Sequence, residues 1–348
     1  MDAPVVNRRT FVTGAALTAV SLAVPARAAP SRPEKRQVSI AVGGKAALYY
    51  LPLTVAERLG YFAAEGLDVQ ISDHPGSAQA LQAVVAGAAD VVSGAYEHTI
   101  KLQGRGQYFQ AFVLQGRAPQ ITLGVSTRSL PHFKSLAELR GRRIGITGPG
   151  SSTSLMASLV LSRAGLKAGE VSLVGVGTSA GALAALRSGQ IDAICNVDPV
   201  MTMLEHRGDV RVVVDTRTLK GSREIFGGLM PAACLYAPTA FIERYPGTAQ
   251  ALSSAIVHSL KWLQTAGPGD ILKTVPEEYL MGDRGLYLAS FEKIRESIAV
   301  DGLFPEEGSR TALRALASVD AAFGAGRIDL ARTYTNQFAS LAKARFKA

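Results

Sequence analysis

Apolar positions along this chain fall into short runs, and most runs are followed by a stretch with one oily helical face. Val38-Ser39-Ile40-Ala41-Val42 reads as a buried strand that ends in Gly43-Gly44, and a helix is expected over residues 49–59. Strands follow at 67–71, at Val91-Val92-Ser93 and at 109–114. Strands alternating with helices in this rhythm predict a parallel sheet with right-handed crossovers, and so an α/β fold. The pattern changes at 121–126, an expected extended connection, and 136–141 gives one helical turn. A second series opens at Arg143-Ile144-Gly145-Ile146-Thr147 and continues with strands at 171–176, 193–197 and 210–214. Residues 231–236 form an extended run expected to lead back to the first half. Beyond Gly247 the chain reads as helical, notably over 251–263 and 329–345, and these helices are expected outside the sheets.

Two of these units are nearly the same. Residues 76–92 align without a gap on 178–194, so that Ser77, Ala78, Ala80, Leu81, Ala83, Gly87 and Asp90 meet Ser179, Ala180, Ala182, Leu183, Ala185, Gly189 and Asp192. Each copy reads as a turn, a capping Ser, an amphipathic helix, a Gly stop, and an Asp opening a buried strand. Two copies predict two similar doubly wound lobes, the first built from 38–125 with 238–348 and the second from 126–237. A cleft between such lobes is a natural place to hold a small molecule.

The chemistry expected there is recognition rather than reaction. Thr147-Gly148-Pro149-Gly150-Ser151-Ser152-Thr153 joins a strand to an amphipathic helix, and its glycines let the backbone approach a ligand. Ser151 or Ser152 can cap that helix, whose first N–H groups form an anion site. No Lys follows at the place a nucleotide-binding loop requires. The other loops at the strand ends carry Tyr49 and Tyr50, Ser77, Tyr96 with Glu97 and His98, and Asn196 with Asp198. The repeat sets the loops at Gly94 and Asn196 opposite one another. The five His residues are dispersed, there is no Gly-x-Ser-x-Gly or His-Glu-x-x-His, and neither a metal, a cofactor nor catalysis is expected. Whether Lys45, His98 or Asp198 meets a ligand is open at this point.

Length and charge refine this reading. A chain of 348 residues, 47% hydrophobic and 19% charged, suits two lobes of a globular protein. The formal net charge is +9, of which Arg8, Arg9 and Arg27 against Asp2 supply +2. The remainder is scattered, which argues against nucleic acid and favours anionic ligands only mildly. Residues 1–28 read as an export signal of twin-arginine type. Arg8-Arg9-Thr10-Phe11 precedes an apolar run too short to span a bilayer, and small residues end at Ala28. The mature chain is expected in the periplasm, not inserted in a membrane, and monomeric. Cys195 and Cys234 both lie in apolar strand-like runs and read as buried thiols.

With those residues laid out, the chain resembles the solute-binding proteins of ABC importers, in the group handling nitrate, taurine, alkanesulfonates and thiamine-type pyrimidines. The resemblance spans 39–241 and is strongest at Ala56-Glu57-Arg58-Leu59-Gly60-Tyr61-Phe62, at 148–153, and from Gly175 to Ala193. It implies a type II periplasmic-binding-protein-like fold, two α/β lobes joined by two crossover strands, with a ligand at the cleft. It also implies delivery to a membrane permease driven by an ATPase. The positions matching ligand contacts are Tyr50, Ser77, Tyr96, Ser151, Ser152, Thr153 and Asn196. The pyrimidine branch carries an Asn-x-x-His run where this chain has Ala47 and Tyr50, so a sulfonate or carboxylate is the expected ligand. The alternatives are a pyrimidine or thiamine-precursor binder and a pyrimidine-synthesising enzyme on the same scaffold.

Overall fold

Among the described residues, ten strands divide into two five-stranded sheets that repeat one strand order. The computed structural model describes residues 1–2, 32–324 and 328–348; beyond Met1 and Asp2 the expected export signal lies outside the described residues. The first sheet contains β1 (Gln37–Gly43), β2 (Asp68–His74), β3 (Val91–Ala95) and β4 (Phe109–Leu114). The chain then crosses to β5 (Ile121–Ser126), β6 (Arg143–Ile146), β7 (Ser172–Gly175), β8 (Ala193–Val197) and β9 (Val210–Asp215), and returns as β10 (Ala233–Pro238). The spatial orders are β2-β1-β3-β10-β4 and β7-β6-β8-β5-β9.

Four strands of each sheet run parallel, as the alternation of strands and helices predicts. The remaining one does not. In each sheet a strand belonging to a chain crossing is inserted antiparallel, β10 between β3 and β4, and β5 between β8 and β9. Residues 121–126 are therefore a buried strand rather than a connection. Six consecutive buried positions there match a strand covered on both faces. Because β5 already belongs to the second sheet and β10 to the first, both crossings fall before the expected boundaries at 125/126 and 237/238. Each inserted strand shifts register once, between Leu123 and Gly124 and between Leu235 and Tyr236.

The crossings run side by side and bond to each other. The Gly116 N–H donates to the Ala233 carbonyl at 3.0 Å, and the Gly116 carbonyl accepts the Ala232 N–H at 2.9 Å. Cys195 and Cys234 are free and buried, one in each sheet.

The repeat survives in atomic detail. Asp90 opens β3, donates its N–H to the Ser39 carbonyl and accepts the Ser39 N–H on its carboxylate. Asp192 does the same with Arg143 at the head of β8. Lys35 also bonds Asp90 at 2.5 Å. Burial works against ionisation of Asp90, but Lys35 and Ser39 hold its carboxyl below the usual range. The expected serine caps are not formed: helix Ser77–Val85 starts behind Gly76, and helix Ala180–Arg187 behind Ser179 without a side-chain bond. The N–H groups of Ser77 and Ala78, and of Ala180 and Gly181, thus receive no side-chain cap.

Beyond β10, helix Pro246–Thr265 packs on the first lobe against the segments that precede β2 and the last helix. The expected helix at 329–345 is broken into a turn, Leu330–Arg332, and helix Gln337–Phe346. Between them Tyr334 bridges to Ala111 of β4. Two further helices straddle the lobes. Arg284–Ile294 packs on Val200–His206 of the second lobe and on the 48–50 turn of the first, and Lys293 pairs with Glu205 at 2.6 Å. Glu306–Ala317 touches Glu97–Gln103 on one side and Ser152–Arg163 and Leu219–Phe226 on the other.

Replacing Asp192 by Ala strands a main-chain N–H at a strand head and is expected to cost about 1–3 kcal/mol in urea unfolding. Asp90→Ala is expected to cost less, because its side chain is 20% exposed against 12% for Asp192 and water can substitute.

Candidate functional site

The C-terminal ends of the parallel strands of both sheets face each other, which is where open α/β sheets hold ligands. Between them the lobes are in direct contact. The Leu48 N–H donates to the Asp198 carbonyl at 2.9 Å, the Ser152 hydroxyl to the Glu97 carboxylate at 2.7 Å, and Lys101 Nζ to the Gly150 carbonyl at 3.2 Å. A methyl group added at Gly44 would come within 2.2 Å of the Thr178 hydroxyl across the cleft. Gly44 also has a φ of +88°, a region that favours glycine.

Inside this closed arrangement lies a cavity of about 30 Å³, with walls that include Tyr50, Ser77, Thr147, Ser152, Thr153 and Thr178. A neighbouring space of about 10 Å³ shares Tyr49, Ile121 and Ser152 with it and reaches Glu97, Leu155, Phe226 and Met230. Water needs roughly 10–15 Å³, so the closed cleft fits a small polar group. Tyr49 and Tyr50 meet edge to face with ring centroids 4.8 Å apart. Burial above all pushes both phenols well above their usual range, so they remain neutral donors. No Lys, Arg or His lines either space. Hydroxyls, uncapped N–H groups and one carboxylate supply the polarity.

Of the seven expected contacts, the structure brings Tyr50, Ser77, Ser152 and Thr153 to this cavity. Thr153 also braces the loop, since its hydroxyl accepts the Thr147 N–H at 2.9 Å. Three lie elsewhere. Ser151 caps helix Ser152–Arg163 by accepting the Ser154 N–H at 3.3 Å, and is buried beneath the loop. Asn196 spends its amide on the Gly177 carbonyl at 2.9 Å and on the Val197 N–H. Tyr96 turns away from the cleft into the first lobe, where its hydroxyl bonds Thr333 at 2.6 Å and its ring packs on Phe304. Its neighbour Glu97 takes the position between the lobes.

The three open candidates also resolve. Lys45 pairs with Glu57 at 2.6 Å. Asp198 is buried, accepts the Thr202 N–H and faces Arg217 at 3.7 Å. His98 lies beneath Glu97 with Nδ1 3.0 Å from the Tyr236 hydroxyl, and burial pushes its imidazole down to about 4.

Tyr49, Glu97, Thr147 and Thr178 also line these spaces; sequence reasoning placed them in the strand-end loops but not among the expected contacts. Thr178 was within reach, because it sits where Gly76 sits in the first copy. A larger cavity of about 880 Å³ shares no wall with the cleft. Its charges are largely satisfied among themselves, as in Arg217 with Asp215 at 2.6 Å and with Glu205 at 3.2 Å. Among the described residues no group of three or more His, Cys, Asp or Glu could hold a metal ion. No described helix is long and apolar enough to cross a membrane.

Residues 47–266 match the family model described as "NMT1/THI5 like", and the chain belongs to that family. A solved structure from Bordetella bronchiseptica RB50 is 55% identical and superposes with a TM-score of 0.89, over 91% of this chain and 99% of that one. The alkanesulfonate-binding protein SsuA of Xanthomonas axonopodis pv. citri, solved with MOPS, is 19% identical with a TM-score of 0.66, over 87% and 99%. The periplasmic nitrate-binding protein NrtA of Synechocystis PCC 6803 is 14% identical with a TM-score of 0.66, over 90% of each. The two-lobed fold is that of these binding proteins. A desulfurization enzyme shares it too, at 16% identity and a TM-score of 0.61, so the fold alone does not separate binding from turnover.

Two outcomes follow from the placement of Tyr96 and His98. Tyr96→Phe is expected to lose about 1 kcal/mol of stability by denaturant titration, as for a typical buried hydrogen bond, with no change in ligand affinity. His98 resists its proton until about pH 4 in the folded chain, whereas the unfolded chain takes one near 6.5. Stability is therefore expected to be full above about pH 6.5 and to fall as pH drops toward 4. His98→Gln is expected to flatten that part of the curve.

Proposed function

We propose that this protein is the solute-capturing component of an ABC importer. It closes its two lobes on a small organic solute and delivers it to a membrane permease and its ATPase. The observation that carries this reading is the strand-end cavity, to which both lobes contribute donors and which contact between the lobes seals. A ligand touching both walls stabilises the closed arrangement through differential contacts, and that shift of population is the signal a permease reads. The twin-arginine motif supports a periplasmic location.

A carboxylate or sulfonate end would sit on the N–H groups at the uncapped starts of helices Ser77–Val85 and Ala180–Arg187. The cleft offers hydroxyls, amides and neutral phenols, and no activated nucleophile. Binding without turnover is therefore the reading favoured over catalysis.

Ligand at about a hundredfold excess over its dissociation constant is expected to add about 2.7 kcal/mol in a thermal-shift screen of sulfonates, carboxylates, nitrate and pyrimidines. Conversion of any bound compound by the purified chain would replace this reading with an enzymatic one. Gly44→Ala places a methyl against Thr178 and is expected to weaken binding about tenfold or more by holding the lobes apart. Adding Thr178→Ala is expected to recover the part of that loss due to the clash, while the φ of +88° keeps a residual penalty for Ala at 44. Equal affinity in the single variant would show that closure at this contact is not part of capture.

A further inference from the structure

We infer that Glu97 reads the charge of the captured solute, its carboxylate accepting a protonated amine or comparable N–H donor where the two lobes meet. The inference rests on the cleft being the solute site and names which end of the ligand is recognised there.

Glu97 is 1% exposed. The bond it receives from the chain comes from the opposite lobe, the Ser152 hydroxyl at 2.7 Å. The space it borders is otherwise walled by Leu155, Phe226, Met230 and the Tyr49 ring. In such surroundings a carboxylate is costly unless donors or a cation compensate it. The nearby cations are committed. Lys101, one helical turn on, gives its ammonium to the Gly150 carbonyl, and His98 is held neutral by burial. Arg217 lies in the separate network with Asp198, Glu205 and Asp215.

Lys101 acts on Glu97 only at longer range, so the site has a place for a direct ion pair that no cation among the described residues fills. In an open arrangement water hydrates Glu97, and closure strips that water away. A ligand that brings an ammonium lowers the cost of closing, while one that brings a second anion to this end raises it. Selectivity thus arises in the closing step, and Ser152 serves both to orient the carboxylate and to join the lobes. The Tyr49 face beside it also favours a cation. The chain N–H groups at the other end remain available to an acid group, so an amine-bearing acid satisfies both ends.

The test compares probe pairs that differ in the amine alone: β-alanine with propionate, homotaurine with propanesulfonate, and para-aminomethylbenzoate with para-methylbenzoate. Binding to the mature chain is read by titration calorimetry at pH 7. The amine-bearing member of a pair is expected to bind at least tenfold more tightly. Glu97→Gln keeps the size and the bond to Ser152 but removes the charge, and is expected to erase that preference. Ser152→Ala, which keeps the charge, is expected to weaken both members alike. If the amine-free members bind as well as their partners, and Glu97→Gln leaves the ratio unchanged, the inference is overturned while the capture reading stands. If no pair binds and the Gly44 and Thr178 variants are also silent in the wider screen, both fall together.

Discussion

The constraint on which this architecture depends is the pairing of the two chain crossings at Gly116 and Ala232–Ala233. Two strands that exchange lobes must pass through the same narrow waist, and their main-chain groups bond to each other there. Each crossing then becomes the antiparallel fourth strand of the sheet it enters, so neither lobe completes its sheet without the other crossing. Rotation about this waist is the motion that leaves both sheets intact. The strand ends, the glycine loops and the uncapped helices sit on the side that such a rotation opens and shuts.

The rest of the cleft follows from that geometry. Because the halves are copies, each brings a helix start and a hydroxyl to the same gap: Ser77 from one, Ser152 and Thr178 from the other. The copies differ in the residues that give the gap its chemistry. Tyr49, Tyr50 and Glu97 come from the first lobe and have no equivalents in the second lobe's wall. The first lobe thus supplies the phenols and the charge, and the second supplies hydroxyls, main chain and the apolar side chains Leu155, Phe226 and Met230.

Much of this was legible in the sequence, and the gaps have physical reasons. The repeat revealed the two lobes because Asp90 and Asp192 each satisfy a neighbouring strand, a need that fixes both spacing and residue type. The glycine loop before helix Ser152–Arg163 was legible because sharp turns leave few residue choices. The insertion of β10 between β3 and β4 was not, since hydrophobic periodicity reports burial and carries no information about which strand lies alongside. Residues 121–126 were read as a connection for the same reason: the alternation of Ile121, Leu123 and Val125 with Thr122, Gly124 and Ser126 marks extended chain but does not say whether that chain joins a sheet. The Tyr96–Glu97 step shows the sharper limit. A large aromatic at a strand end suggests a ligand, yet a turn of backbone decides whether residue 96 or 97 points outward, and Thr333, which anchors Tyr96, lies 237 positions along the chain.

The helices Arg284–Ile294 and Glu306–Ala317 give the molecule a spine as well as a waist. Each rests on both lobes, so opening cannot be the free swing of two bodies on a pair of strands. The Lys293–Glu205 pair strengthens the first of these bridges. Under the proposed capture, these two bridges limit how far the lobes can part when solute enters or leaves.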